Sequence, residues 1–320
     1  MTDFVYNRDD YLMWKMLIEN NGGFSQEVYS KFKEQVKDKE NLKILDIGTG
    51  IGGLITRIIE LDTFSHDQEF TGIDINDKSL RDSGNYFKWW GQKNGHQISE
   101  SKPEDDAIAS LTIKKEGLEH SVKFYLASVY DTDRILGICN GQADVVIGNT
   151  VFEHLNPELA LKAIKTYLKD GSLVYLPVNA DKELILRPEY ADTELEEKIV
   201  RGFLDAHFET LENIVIDGKK YKQGDVCCGR NLFNNFSKAG LEVLAYGGSQ
   251  KTIVPSKGRY KDHEKKYLEF FLEKMRDIAK ANNPEKVTAW FEDRTEQLEQ
   301  GALYCILKGM DILAANTNSE

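Results

Sequence analysis

Ten residues, Ile44 to Gly53 (ILDIGTGIGG), constrain the fold more than any other stretch of the chain. An apolar run passes through Asp46 into Gly48, Gly50, Gly52 and Gly53, and an amphipathic stretch follows at once. Glycine lets backbone turn sharply and approach a ligand closely, and a helix N-terminus presents N–H groups. A strand, a glycine loop and a helix in that order predict a nucleotide cradle. From Leu42 onward, short apolar runs alternate with helical stretches: LKILDIG (42–48), EFTGIDI (69–75), VKFYLAS (122–128), ADVVIGN (143–149) and SLVYLPV (172–178). That alternation predicts βαβ units and a mostly parallel sheet, and the near-continuous hydrophobicity suits strands covered on both faces. Of the intervening helices, PELALKAIKTYLKDG carries Asn156 as N-cap, Pro157 at the first helical position and Gly171 as terminator.

Outside those runs the pattern is looser. The first forty residues read as helical, with a second helix starting at Ser25 and placing Val28, Tyr29, Phe32 and Val36 on one face. Asn76 to Ser121 is long for one crossover; it holds a helix around Lys78 to Asn94 and then the polar GHQISESKPEDD, and reads as a surface insertion. After residue 229, RNLFNNFSKAG and LEVLAYGG resume the helix and strand alternation. Two more helices follow, one with Tyr267, Phe271, Met275 and Ile278 on a face, the other opening at Asn283-Pro284 and burying Val287, Trp290 and Phe291. The closing ALYCILKGMDILA alternates like a strand that lies antiparallel beside Leu241 to Tyr246.

Charge and cysteine usage narrow the partners. With 41 Lys and Arg against 53 Asp and Glu, the formal charge of −12 repels phosphate backbones, so nucleic acid is disfavoured. No run reaches the ~18 apolar residues of a membrane helix. The 4 cysteines are scattered and form no C-x-x-C pair, so reduced thiols in a cytoplasm are the simplest reading.

Gly48, Gly50 and Gly53 also satisfy the G-x-G-x-x-G spacing of dinucleotide binders. Asp46 separates the two cases. A carboxylate two residues before the first glycine sits where a pyrophosphate needs donors and no anion, but it suits a ligand with an ammonium group. Asp74 ends the second candidate strand, 24 residues after Gly50, and an ionised carboxylate can accept from both hydroxyls of a ribose. S-adenosyl-L-methionine has the ammonium, a cationic sulfonium and the ribose.

With those pieces in order, the chain resembles the class I S-adenosylmethionine-dependent methyltransferases of small-molecule type. LDIGTGIG resembles the glycine-rich motif, GIDIN the ribose acid, VKFYLASVYD the adenine-side strand end, ADVVIGNTVFEHL the fourth motif and LKDGSLVYLPV the fifth strand. The resemblance implies a Rossmann-like α/β fold, a seven-stranded mostly parallel sheet with an antiparallel last strand, plus helical lid insertions. It implies that Asp46, Gly48, Thr49, Gly50 and Gly52 line the methionine end, that Asp74 and Ile75 hold the ribose, and that Asn149 faces the sulfonium and acceptor. Ser128 and Val129 fall on the adenine side; Ser128 replaces the family's frequent Asp, which points to backbone contact instead. The implied organisation is an N-terminal helical cap (1–40), a cofactor-binding core (41–180), a substrate-cap insertion (181–229), a core continuation (230–249), a helical lid (250–300), and a last strand with tail (301–320).

Methyl transfer is an in-line displacement on an activated methyl group, so the protein chiefly aligns two reactants and excludes water. His154, just after the fourth strand, is the candidate base for a nucleophile that arrives protonated. Glu153 and His154 echo a Glu-x-x-Glu-His metal motif, but Thr150 stands at its first glutamate, so no metal is expected. His207 could reach an acceptor from a cap helix, and Tyr6, Arg8 and Tyr11 could fold over the cofactor. A lid rich in Tyr, Phe and Trp implies a small, partly apolar or aromatic acceptor. The alternatives are a nicotinamide-dependent oxidoreductase on the same loop and a catalytically silent partner protein that only binds the cofactor.

Overall fold

The computed structural model describes residues 23–317 except 104, 210–212, 217, 226, 281 and 282. The expectations for Tyr6, Arg8 and Tyr11 lie outside the described residues, and the side chain of His207 is likewise outside them. Helix α1 (Gln26–Val36) precedes β1 (Lys43–Ile47), α2 (Gly53–Glu60), β2 (Glu69–Asp74) and α3 (Asp77–Asn94). A hairpin, β3 (Gln97–Ser101) and β4 (Ala109–Lys115), leads into β5 (Leu118–Leu126), α4 (Thr132–Ile138), β6 (Ala143–Ile147), α5 (Pro157–Thr166) and the long β7 (Leu168–Arg187). Then come α6 (Thr193–Glu209), the short pair β8 (Ile214–Ile216) and β9 (Lys219–Tyr221), α7 (Cys228–Lys238), β10 (Glu242–Ile253), α8 (Asp262–Ala279), α9 (Pro284–Glu299) and β11 (Tyr304–Ala315).

The central sheet runs β10-β11-β7-β6-β1-β2-β5-β4-β3. Strands β5, β2, β1, β6 and β7 are parallel to their neighbours in that run, and β11 lies antiparallel between β7 and β10. These are the seven expected strands, with the C-terminal one antiparallel beside 242–253. Two more extend the sheet. The polar stretch read as a surface insertion supplies the antiparallel strands β3 and β4. Its alternation is short and diluted by Ser, Thr and Glu, yet Leu111 and Ile113 are each only 1% exposed, packed in one cluster with Phe87 and Trp90 of α3.

One face of the sheet is covered by α1, α2 and α3. Val28, Phe32 and Val36 are fully buried, as their spacing demands, and Phe32 stacks on Tyr175 at 4.5 Å between ring centroids. Burying side chains of this size stabilises by about 1.5–3 kcal/mol each. Ser25 holds the N-cap position of α1 without a side-chain cap; its backbone N–H instead donates to Asp311 Oδ2 at 2.7 Å. The opposite face packs α4, α5 and α7 around Tyr125, Phe152, Tyr167 and Phe236. Asn156 caps α5 by accepting from Leu159 N at 3.1 Å, but the helix stops at Thr166 and Gly171, at φ +72°, turns within β7.

The fifth expected strand does not stop at Val178. β7, β10 and β11 continue together as a three-stranded ribbon, pairing Leu186 with Cys305 and Cys305 with Ile253. Leu184, Leu186, Ile253 and Cys305 on the ribbon join Phe203 of α6, Phe271 and Met275 of α8 and Trp290 of α9 in a separate apolar core. The two insertions read separately from sequence share this one core. Among the described residues, no helix is long and apolar enough to cross a membrane.

Candidate active site

The carboxyl ends of β1, β2, β5 and β6 converge on the glycine bend. β1 delivers Asp46, 1% exposed, whose Oδ2 accepts from Thr49 Oγ1 at 2.6 Å while Oδ1 has no partner. Gly48, Gly50 and Gly52 have φ of +62°, +55° and +87°, the left-handed region that favours glycine. A Cβ on Gly48 would lie 2.3 Å from Val151, and one on Gly52 would lie 2.5 Å from Phe87, so these two serve close packing. A Cβ on Gly50 meets nothing within 4 Å: here the bend faces open space.

Asp74 closes the bend from β2. Its Oδ2 accepts from Gly50 N at 2.8 Å and its Oδ1 from Asn76 N at 2.8 Å. Capping of α3 falls to Asn76, which accepts from Ser79 N at 3.1 Å. Ile75 beside it is 78% exposed, an apolar side chain with no protein cover.

The loop amides decide which ligand the bend can take. Thr49 N donates to Ile73 O at 3.0 Å, Gly50 N to Asp74, and Gly52 N to Thr49 O at 2.8 Å. A pyrophosphate needs free donors there. These three amides are bonded, two of them to β2 and one within the loop, and two carboxylates flank them. Burial pushes the Asp46 carboxyl up to about 7, the Thr49 hydroxyl opposing and the charge of Asp74 adding to the rise. Burial also raises Asp74, against the amides of Asn76, Gly50 and Ile75. Such anions are stabilised by a cation brought between them.

The remaining expected residues lie around this bend. Ala127 N donates to Asp74 O at 3.0 Å, which sets Ser128 and Val129 beside Asp74. Ser128 Oγ accepts from Tyr130 N at 3.3 Å and so is engaged in its own turn. Asn149 lies two residues beyond β6, with its Oδ1 buried and unpartnered, and Thr150 follows at φ +50°, uncommon for a β-branched residue. Contact between Val151 and Gly48 presses this loop onto the bend. His154 is half-buried at the end of a single 3-10 turn, Phe152–His154. Trp90 is buried and donates to Glu60 at 2.9 Å.

Two polar groups stand differently from the sequence reading, which takes Glu153 only as a fragment of a metal motif and does not single out Asn179. Glu153 is 5% exposed, accepts from the Ala180 amide, and has an unpartnered Oε2; burial pushes it up to about 7. Asn179, fully buried, donates from Nδ2 to Leu176 O at 2.8 Å and Met310 O at 3.1 Å, leaving Oδ1 without a partner. Neither breaks a periodicity: FEH and VNA read as a loop and a strand end. Among the described residues, no group of three or more His, Cys, Asp or Glu side chains is placed to hold a metal ion. An open groove of about 510 Å³ runs between the arm of β7 and α6, lined by Leu184, Leu186, Val200 and Arg201 and ending at Arg230.

A family model described as "Methyltransferase domain" matches residues 23–246. No curated protein matches the sequence. Among solved structures, the chain is similar to a candidate methyltransferase from Bacillus halodurans (14% identity, 90% of this chain and 98% of that one, TM-score 0.48). It is also similar to a SAM-dependent methyltransferase from Methanosarcina mazei (12% identity, 92% and 99%, TM-score 0.44). A third similarity is to phosphoethanolamine N-methyltransferase 2 from Haemonchus contortus in complex with S-adenosyl-L-methionine (9% identity, 99% and 59%, TM-score 0.42). With the family model spanning the glycine bend, both flanking acids and the fourth and fifth strands, the chain belongs to the methyltransferase-domain family.

Proposed function

We propose that the protein is a cytoplasmic enzyme that transfers the methyl group of S-adenosyl-L-methionine to a small-molecule acceptor rather than to nucleic acid. The observation that carries this is the pair Asp46 and Asp74 across a glycine bend whose amides at 49, 50 and 52 are already bonded. In this reading Asp46, Gly48, Thr49, Gly50 and Gly52 hold the methionine end. Asp74 and Ile75 hold the ribose, Ser128 and Val129 flank the adenine, and Asn149 faces the sulfonium. The bound donor supplies a methyl group activated by positive sulfur. The chain's own part is to align the acceptor and keep water out. Residues 1–40 and the helices α6, α8 and α9 are the cap and lid in this reading, and their aromatic content fits an acceptor that is partly apolar or aromatic.

Binding should depend on pH. Asp46 is pushed up to about 7, above its unfolded value, so it stabilises the ligand-free fold at low pH, and that contribution is lost as pH rises through 7. A cation in the bend favours the ionised form and expels the proton. Affinity for S-adenosyl-L-methionine should therefore improve by up to about tenfold per pH unit below 7 and level off above it. Calorimetric titrations at several pH values check this, and Asp46→Asn should flatten the profile.

His154 is the proposed proton acceptor when the nucleophile arrives protonated. Removing such a group lowers turnover by about 100-fold or more. His154→Ala measured across pH tests the role, and an unchanged profile removes it. For the activity itself, the chain is incubated with labelled S-adenosyl-L-methionine and a metabolite extract. A labelled small molecule supports the proposal, while tight cofactor binding with no transfer to any extract favours a silent binding protein.

A further inference from the structure

Three buried oxygens without donors end the two strands at the acceptor side of the bend: Asn149 Oδ1 after β6, Glu153 Oε2 on the following turn, and Asn179 Oδ1 in β7. Leaving such an atom unpaired costs about 1–3 kcal/mol, so three in one region call for a ligand. Glu153 and Asn179 are linked through the chain, because the Ala180 N–H that donates to Glu153 belongs to the next residue after Asn179. The amide of Asn179 cannot be reversed, since its Nδ2 donates to two carbonyls, and its oxygen is therefore the open side. The first turn of α7 closes the region: a Cβ on Gly229 would lie 2.8 Å from Asn179 O and 2.9 Å from Ala180 O.

The charges around Glu153 are not cationic. Cys228 of α7 feels the charges of Glu153, Asp225 and Asp181, and Asp181 is itself paired with Arg230 at 2.8 Å. Among the described residues, no lysine or arginine pairs with Glu153, and His154 is its chain neighbour. The Glu153 carboxyl takes the backbone N–H groups of Glu153 and Ala180 and keeps Oε2 without a partner, so the region offers acceptors and negative charge in excess of its donors.

We propose that Glu153 and Asn179 form the acceptor pole of the site and receive a nitrogen nucleophile, so that the methyl acceptor is an amine. Counting donors separates the candidates. A hydroxyl brings one O–H, a thiol one weak donor and a carboxylate none, whereas an ammonium brings up to three N–H groups. This inference rests on the methyl-transfer reading above for its chemistry. An entering R–NH3+ is held by the ionised Glu153 carboxylate and gives one proton to His154, becoming R–NH2. The nitrogen lone pair forms the new N–C bond as the S–C bond of S-adenosyl-L-methionine breaks, the electron pair of that bond remaining on sulfur as a neutral thioether. The product leaves as R–NH2+–CH3, and His154 passes its proton to water.

The test uses the whole chain and methylammonium chloride as probe, with tetramethylammonium chloride, which has no N–H, at equal ionic strength. The difference between the infrared spectra of wild type and Glu153→Gln at pH 6.5 separates the Glu153 band from that of Asp46, and it should show a protonated carboxyl that methylammonium removes and tetramethylammonium leaves. Should that variant fail to fold, the wild-type melting temperature serves: methylammonium raises it and tetramethylammonium does not. Equal responses to the two cations, or a band that persists at saturating methylammonium, overturn the proposal. Neither readout needs the methyl donor. A chain that answers methylammonium but does not bind S-adenosyl-L-methionine would refute the methyl-transfer reading alone.

Discussion

Asp74→Ala lowers the affinity for S-adenosyl-L-methionine by about 100-fold, while the fold survives. A hydrogen bond to a charged acceptor contributes about 1.5–3 kcal/mol, and a ribose offers two hydroxyls to one carboxylate. The lower end of that sum, about 3 kcal/mol, corresponds to a factor of roughly 150 in dissociation constant. The carboxylate also restrains the bend by accepting from Gly50 N and Asn76 N, both at 2.8 Å, so its removal frees two amides as well. Asp74→Asn keeps one acceptor oxygen and should lose about tenfold, near 1.4 kcal/mol. Calorimetric titration of both variants checks the ranking. Equal affinities in wild type and Asp74→Ala would remove Asp74 from the site.

Arg294→Met destabilises the second apolar core by about 3–5 kcal/mol, the range for removing one partner of a buried ion pair. Arg294 is 0% exposed. Its guanidinium donates to Glu196 Oε1 from Nε at 2.8 Å and from Nη2 at 2.5 Å, to Pro188 O at 2.8 Å, and to Gln297 Oε1 at 2.6 Å. Trp290 Nε1 donates to the same Glu196 oxygen at 2.9 Å. One side chain of α9 thus ties down α6 and the end of β7. Without it, Glu196 remains largely enclosed, with Trp290 Nε1 still donating to it. Because this core is separate from those flanking the sheet, limited proteolysis should cut within α6, α8 and α9 first, with hydrogen exchange rising there and not in β1, β2 and β6. The double variant Arg294→Met with Glu196→Gln should recover part of the loss. A global loss of protection, or none, would show that the helical layer is not held this way.

The parallel core was legible because burial on both faces writes near-continuous apolar runs, and Val28, Phe32 and Val36 announced α1 by helical spacing alone. Strands β3 and β4 were hidden for the opposite reason: an edge hairpin needs only Ile98, Leu111 and Ile113 inward, and its outward Ser, Thr and Glu read as a loop. The ribbon was hidden because β7 carries Asn179, Asp181, Lys182 and Glu183 in mid-strand, polar residues that ordinarily end a strand. At the site, Asp46 and Asp74 stood out because acids beside a glycine bend have few structural uses. Asn179 did not, and Glu153 read only as a fragment of a metal motif, since only coordinates reveal that a buried oxygen lacks a donor.

The central claim is that the bend between Asp46 and Asp74 receives a cationic nucleoside and refuses a pyrophosphate. Titrating S-adenosyl-L-methionine and, separately, NADH into the wild-type chain by calorimetry tests this most directly. The account predicts saturable one-to-one binding of S-adenosyl-L-methionine and no heat of binding for NADH. Saturable binding of NADH with no response to S-adenosyl-L-methionine would contradict it.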